Sequence, residues 1–557
     1  MSATRYSFRE KAADRARWGR ARRAALLSGV LIAAGGTLPA LGQDLAVETA
    51  ELWFKDSPGV LDNAHPDDQF GTALATCDFD GDGFPDLAVG APGDKFFGNL
   101  LEDSGAVSVL YGGPAGLSAS DDQILYQNGN SLPESDDFFG SALAAGHFND
   151  DLYCDLAVGS PGEDLNGDED VGAFDVFYGS SSGLEDTSTT FYQVGPPTLN
   201  NHGSTPEAFD QFGSSFAVGN FNGDAYHDLA VGAPLENWNT TTNSGHVIVY
   251  HGSATGLVVH SGWSQARADI QGVEEAGDEF GHSLAAGDFD DDGFDDLAIG
   301  VPGQEIDGDV RSGAVSVIVG SATGLTPDAD LLYSQDTPGI GPASEPDDEW
   351  GRVLAAGNFN GDDYEDLAVG SPLEGLVGAS DAGAFGVMYG SVFGPLAASY
   401  DSYTQDQIGG GGASEGGDQF GYSLAAGNVD GDEYDDLLIG SPFEDVVAIV
   451  NAGAFVIAYG SDQGIQPERA DWITQAAISV ETSETADYFG MTVAFGDFDR
   501  DGHYEAVIAA PGEDVPCTLN CVGTATDAGV VIVMDDGSIF DDGFEAGSTA
   551  AWSSTVP

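Results

Sequence analysis

The chain has 557 residues, with 93 Asp and Glu against only 15 Lys and Arg, a formal net charge of −78. That balance argues against nucleic acid and anionic membranes as partners, because both need a basic footprint. A hydrophobic content of 41% is enough to bury a large core, so disorder is not expected despite the charge.

The first 42 residues stand apart. They carry eight of the basic residues, from Arg5 to Arg23, followed by an apolar run from Ala24 to about Ala34 and a small-residue end at Leu38–Gly42. This is the pattern of a secretory signal peptide cleaved near Gly42, and the run is too short to span a bilayer as an anchor. The expected localisation is secreted, periplasmic or cell-surface, with no transmembrane segment in the mature chain.

After a first strand at Leu52–Phe54, one unit of sequence recurs seven times. Its first copy opens at Asp68-Gln69-Phe70-Gly71, passes through an acidic stretch from Asp78 to Asp86, and closes on Leu87–Gly93. The acidic stretch restarts at His147, Asn220, Asp288, Asn358, Asn428 and Asp497, a spacing of 68 to 73 residues. A fixed period of that size means stacked or radially arranged units. Each unit carries four strand signals bounded by Gly, Asp and Pro. Strand A is rich in small residues, as in Ser283–Gly287, strand B is the Leu-Ala-Val-Gly segment, and strand C follows a Gly-Ala, as in Gly313–Ile318. Strand D carries an aromatic, near Tyr126, Tyr192, Trp263, Tyr333, Tyr403 and Trp472. No helical periodicity is sustained. The fold class is therefore all-β, a seven-bladed β-propeller of four-stranded blades over residues 43–537. No strand D follows Val530–Met534, so the strand at Leu52–Phe54 is expected to close the ring and remove two exposed edges.

The nine-residue acidic stretch between strands A and B carries the chemistry. Oxygen donors at positions 1, 3, 5 and 9, with a backbone carbonyl at position 7, suit a hard cation such as Ca2+. The candidate ligands are Asp78, Asp80, Asp82, Phe84 and Asp86 in the first loop, and Asn220, Asn222, Asp224, Tyr226 and Asp228 in the third. The fourth offers Asp288, Asp290, Asp292, Phe294 and Asp296, and the fifth Asn358, Asn360, Asp362, Tyr364 and Asp366. The sixth offers Asn428, Asp430, Asp432, Tyr434 and Asp436, and the seventh Asp497, Asp499, Asp501, His503 and Glu505. Loops one, four and seven, with four carboxylates each, are expected to fill first. Loop two begins with His147 and has Leu152 in place of the turn glycine, so it is expected to fill last or never. An EF-hand is excluded, because its twelfth position needs Glu and here holds Val89, Val158, Val231, Ile299, Val369, Ile439 and Ile508.

Phe-Gly at the start of each unit, the acidic loop and a Gly-Ala-Pro or Gly-Ser-Pro close together resemble the FG-GAP repeat, over roughly residues 50–535. The resemblance is to the N-terminal propeller of integrin α subunits and to that of glycosylphosphatidylinositol-specific phospholipase D. It implies Ca2+ in the strand A–B hairpins on one face and ligand contacts through the loops of the other. Integrin leg domains and the catalytic domain of the phospholipase have no counterpart in this sequence.

Four cysteines remain. Cys517 and Cys521, four apart in one loop, read as a small disulfide in an exported protein. Cys77 and Cys154 read as small buried residues, with a bridge between them left open. The nine His form no recurring catalytic arrangement, so no catalytic residue is assigned and the expectation is not an enzyme. The favoured function is a calcium-binding adhesion or recognition module, probed by an extracellular protein or glycan and expected to be monomeric. The alternative is a hydrolase with its site in the propeller channel. Partners are expected on the face of the B–C and D–A loops, which vary between units at 94–104, 237–243 and 304–311, with Trp238 as a candidate exposed anchor. Residues 538–557 form a separate tail. The acid content beyond the loops is consistent with a saline habitat as well as with function.

Overall fold

A computed structural model describes residues 50–534, apart from 62, 96–100, 130–131, 194–205, 239, 409–411, 479–482 and 517–523. The leader, the Cys517–Cys521 pair and the C-terminal tail lie outside the described residues. Seven four-stranded antiparallel sheets follow one another along the chain. In the first, strand A is Leu74–Cys77, B is Asp86–Ala91, C is Ala106–Tyr111 and D is Ser118–Leu125. The A strands of successive sheets lie side by side, and the seventh returns to the first. The Thr76 hydroxyl donates to the Phe495 carbonyl at 2.8 Å and the Thr492 hydroxyl to the Thr72 carbonyl at 2.9 Å. The architecture is a seven-bladed β-propeller. Its last blade takes strand A from Thr492–Gly496, B from Glu505–Ala510 and C from Val530–Met534. Its outer strand is Glu51–Trp53, in register Leu52 opposite Ile532. The ring is closed by the N-terminal strand, as the missing seventh D strand required.

The B and C strands are buried on both faces, which explains their continuous apolar runs. Among the described residues there is no single core. The buried apolar residues form seven clusters, each spanning two neighbouring blades. Phe79, Val107 and Val109 of blade 1 meet Leu156, Val158 and Phe177 of blade 2, and Phe70, Leu87 and Val89 of blade 1 meet Val507, Ala509 and Val531 of blade 7. Each fully buried Phe in these seams contributes about 1.5–3 kcal/mol.

The recurring Phe-Gly and Gly-Ala-Pro elements stitch the seams. Phe139 is buried and pairs as a parallel bridge with Gly105 of the preceding blade. Gly140 follows at φ +91°, and a Cβ on Gly90 would lie 2.1 Å from its carbonyl oxygen. Only glycine permits that approach.

Candidate functional site

The acidic stretches are the A–B hairpin loops, so all seven lie at one end of the blades. Their shape is set by short side chains that bond their own backbone. In loop one, Asp78 accepts the Gly81 and Gly83 N–H groups at 2.7 and 2.9 Å, Asp80 accepts that of Asp82, and Asp82 that of Phe84. Gly81 and Gly83 both take positive φ. In loop four Asp288 accepts the Asp292 and Gly293 N–H groups in the same way.

The structure gathers carboxylate oxygens within 4.8 Å of one another in the three loops richest in acid. The sets are Asp78, Asp80 and Asp86; Asp288, Asp290 and Asp292; and Asp497, Asp499 and Asp501. A fourth set, His65, Asp68 and Asp94, is bridged by the Lys55 ammonium, 3.3 Å from Asp68 and 2.5 Å from Asp94. In loops three, five and six the position 1 asparagine turns its amide nitrogen to the position 5 carbonyl, as Asn220 does to Asp224 at 2.9 Å and Asn358 to Asp362 at 2.6 Å. That leaves Asn220 Oδ1, Asn358 Oδ1 and Asn428 Oδ1 buried with no donor, as are Asp290 Oδ1 and Asp497 Oδ1. A buried acceptor without a donor costs about 1–3 kcal/mol, which a cation in the loop would recover. The donor set is all oxygen, the choice of a hard cation.

The position 9 carboxylate has a second task. Asp86 accepts the Phe79 N–H at 2.7 Å and the Gly112 N–H at 2.9 Å, tying the hairpin to the end of strand C. Asp366 and Asp436 do the same. Burial pushes Asp86, Asp296 and Glu505 up to about 8, and Asp155, Asp228, Asp366 and Asp436 up to about 7.

Loop two departs. His147 Nδ1 lies 2.8 Å from the Tyr153 carbonyl, and since a carbonyl only accepts, that nitrogen carries the proton. The imidazole N–H thus occupies the position 7 oxygen, one of the ligand atoms expected from the sequence. Neither position 4 nor position 6 of this loop takes positive φ.

The hairpins are also linked around the ring. The position 8 N–H of each loop donates to the position 1 carbonyl of the one before: Cys154 to Asp78, His227 to His147, Asp295 to Asn220, and onward to Tyr504 to Asn428 at 3.1 Å. At the closing junction position 8 is Pro85, which has no N–H to give.

One sequence expectation needs correction. Cys77 and Cys154 are joined in a disulfide that ties blade 1 to blade 2. Cys77 ends strand A, where the other six blades have Gly146, Gly219, Gly287, Gly357, Gly427 and Gly496. In blades 2 to 5 the next blade's position 8 side chain lies against that glycine, so a Cβ on Gly287 would meet Glu365 at 2.2 Å, while Gly427 faces Phe495 and Gly496 faces Phe498. In blade 1 the same gap holds the sulfur bridge. Trp238, the candidate anchor, is half-buried and stacks on His246 with ring centroids 6.2 Å apart.

The FG-GAP repeat family matches residues 70–110, 212–250, 280–318, 350–388, 420–457 and 489–534. These are six of the seven blades. The chain is an FG-GAP repeat protein. The blade left out, the second, is the one whose loop carries His147 and Leu152. Among relatives, the chain is 32% identical to bovine phosphatidylinositol-glycan-specific phospholipase D, over 35% of this chain and 23% of that protein. It is 31% identical to Drosophila melanogaster integrin alpha-PS2, over 42% of this chain and 16% of that one. With Xenopus laevis integrin alpha-4 the identity is 27% over 44% and 21%. The FG-GAP propeller thus spans less than a quarter of the length of these relatives. A solved rhamnogalacturonan lyase, YesW, gives a TM-score of 0.39 at 12% identity, over 85% of this chain and 72% of that one. Among the described residues no helix is long and apolar enough to cross a membrane.

Proposed function

We propose that this FG-GAP propeller is a secreted or surface-associated recognition module. Ca2+ in the A–B hairpins holds the frame, and the opposite loop face binds an extracellular protein or glycan. The orphaned buried oxygens of Asn220, Asn358, Asn428, Asp290 and Asp497 support the metal reading. Sites one, four and seven are the strongest, and site two is replaced by the His147 imidazole.

One observation carries the recognition reading. The tips of the B–C turns in blades 4, 5 and 6 expose Val310, Val377, Val447 and Val450, with Val377 and Val447 fully exposed. These blades are neighbours, and Val377 and Val447 occupy equivalent positions. Apolar tips clustered on one face of so acidic a chain mark an interaction surface. The test is an array of glycans and matrix proteins, with and without chelator. Val377→Asp and Val447→Asp should abolish binding and leave Tm unchanged. Binding that survives both substitutions but is lost on changing hairpin residues would place the ligand on the wrong face for this reading.

A second reading, a hydrolase, is favoured by Glu365. Burial, then Asp295 and Asp435, push its carboxyl up to about 7, beside the innermost strands. A screen against phosphodiester and glycoside substrates with Glu365→Gln as control decides between the two.

A further inference from the structure

At the end of the blades opposite the hairpins, each junction buries a second polar group. A residue just after strand D of one blade reaches two residues of the next. One is the Asp two places before the buried Phe or Trp, and the other lies in the turn after strand B. Between blades 2 and 3 these are Gln193, Asp210 and Glu236, all no more than 2% exposed. The Gln193 amide donates to Glu236, and Asp210 accepts the Glu207 N–H at 2.6 Å while its carboxyl hydrogen-bonds that of Glu236. The other charged groups facing this pair, Glu207 and Asp168, are themselves acidic.

The arrangement recurs. Gln127 donates to Glu163 at 2.7 Å beside Asp137, Gln335 to Glu374 at 2.7 Å beside Asp348, and Gln405 to Glu444 at 2.8 Å beside Asp418. Gln475 donates to Glu513 at 2.5 Å beside Asp487. Two carboxylates in contact and out of water cannot both stay ionised without a counter-charge.

The two remaining junctions show what the site requires. Between blades 7 and 1 the glutamine is replaced by Lys55, whose ammonium sits between Asp68 and Asp94. Between blades 3 and 4 the glutamate is replaced by Gln304, which accepts from Gln265 at 2.6 Å and leaves Asp278 as the one acid. Each replacement removes one unit of negative charge.

We propose that in the five junctions with two carboxyls a single proton, shared between the Asp and the Glu, supplies that unit, so that the ring contains five buried proton-binding sites. The carboxyl O–H of one partner donates to the other, and the blades are joined by a hydrogen bond instead of pushed apart by like charges. Burial, then repulsion from Asp348 and Asp418, holds Glu374 and Glu444 at about 7, and burial, with Glu345 and Glu415 nearby, holds Asp348 and Asp418 at about 6. In the unfolded chain these groups titrate near about 4. Because the folded values are raised, the stabilisation is fully present below the unfolded values and is lost as pH rises through about 6–7.

The experiment measures Tm of the full chain between about pH 5 and about pH 9, a range that brackets these transitions, with Ca2+ saturating throughout. Glu236→Gln copies the junction of blades 3 and 4, and Gln193→Lys copies the closing junction. Each should raise Tm at the alkaline end, leave the acid end unchanged and so reduce the slope. Glu→Gln at all five positions should remove most of it. The infrared carbonyl band of a protonated carboxyl should be present at neutral pH and weaken in Glu236→Gln. A slope unchanged in both single variants and in the five-fold variant overturns the proposal. So does an alkaline Tm that is restored by exchanging sodium for potassium, which would assign the junctions to a metal cation.

Discussion

Lys55 offers the sharpest test of how the ring closes. It follows the N-terminal strand, is 1% exposed, and lies between the buried Asp68 and Asp94 of blade 1. Lys55→Ala leaves two carboxylates facing each other with no counter-charge, at the one junction where Pro85 also withholds a hairpin hydrogen bond. Removing one partner of a buried ion pair costs about 3–5 kcal/mol. The entropy of unfolding is about 2.1 cal/mol/K per residue, or about 1 kcal/mol/K over about 480 residues, so Tm should fall by about 3–5 °C. Differential scanning calorimetry at about pH 8, well above the carboxyl pKa of an unfolded Asp, measures this directly. Nearer pH 5 the loss should shrink, because burial already raises Asp68 and it can take up the missing charge as a proton. Lys95→Ala is the control. Its ammonium is an exposed donor to the Pro66 carbonyl at 3.4 Å, and its loss should stay within about 0.5 kcal/mol. Equal losses for the two lysines, or a Lys55→Ala loss that does not depend on pH, would refute the reasoning.

Three other outcomes are expected. Cys77→Ser, or reduction, removes a cross-link spanning 77 residues, and the chain-entropy relation puts its contribution at about 4 kcal/mol, readable as a lower denaturant midpoint. Deleting residues 50–54 exposes the edge of Val530–Met534, and a cooperative drop in Tm should accompany it; an unchanged melting curve would sink the closure argument. In a calorimetric Ca2+ titration, Asp288→Ala should lose one strong site while His147→Ala leaves the stoichiometry unchanged, and the opposite pattern would reverse the ordering of the loops.

The blade count, the hairpin loops and the closing strand were legible because each depends on local pattern repeated in register: alternating turns, apolar runs and a period near 70. That carboxylates gather in the first, fourth and seventh loops was legible, since side-chain charge is written in the sequence. That Asn220 and Asn358 leave an oxygen without a donor is a matter of rotamer and burial. The Cys77–Cys154 bond had a signal, a cysteine where six other blades end strand A in glycine, but only the ring shows which residue faces that position across the seam. His246 stands where five other blades begin strand C with alanine, and it is the platform on which Trp238 lies. The junction acids were hidden by abundance. Among 93 carboxylates a contact between two says little until Gln127, Gln193, Gln265, Gln335, Gln405, Gln475 and Lys55 are seen to occupy one recurring place.

With Ca2+ in the hairpins and protons in the junctions, as proposed, the two ends of the blades would depend on cations in opposite ways, and the calcium effect should depend on pH. At the hairpin end, burial holds Asp86, Asp296 and Glu505 at about 8 when no metal is bound. Ca2+ must displace those protons, so its binding near neutral pH should release protons and weaken as pH falls. At the junction end, protons are the ligand and are lost as pH rises through about 6–7. Without calcium both ends therefore lose stability in the same direction, and Tm should fall steadily from acid to alkaline pH. With saturating calcium the hairpin end is relieved of its repulsion where the carboxyls are ionised, because a ligand that binds only the folded state adds stability. The gain in Tm on adding calcium should then be small at about pH 5, where protons still compete for the raised carboxyls, and largest at about pH 9. Paired melting curves across that range measure it. A gain that is constant with pH would mean that the position 9 carboxylates do not take part in binding, and that they serve only to tie Phe79 to Gly112 and their counterparts.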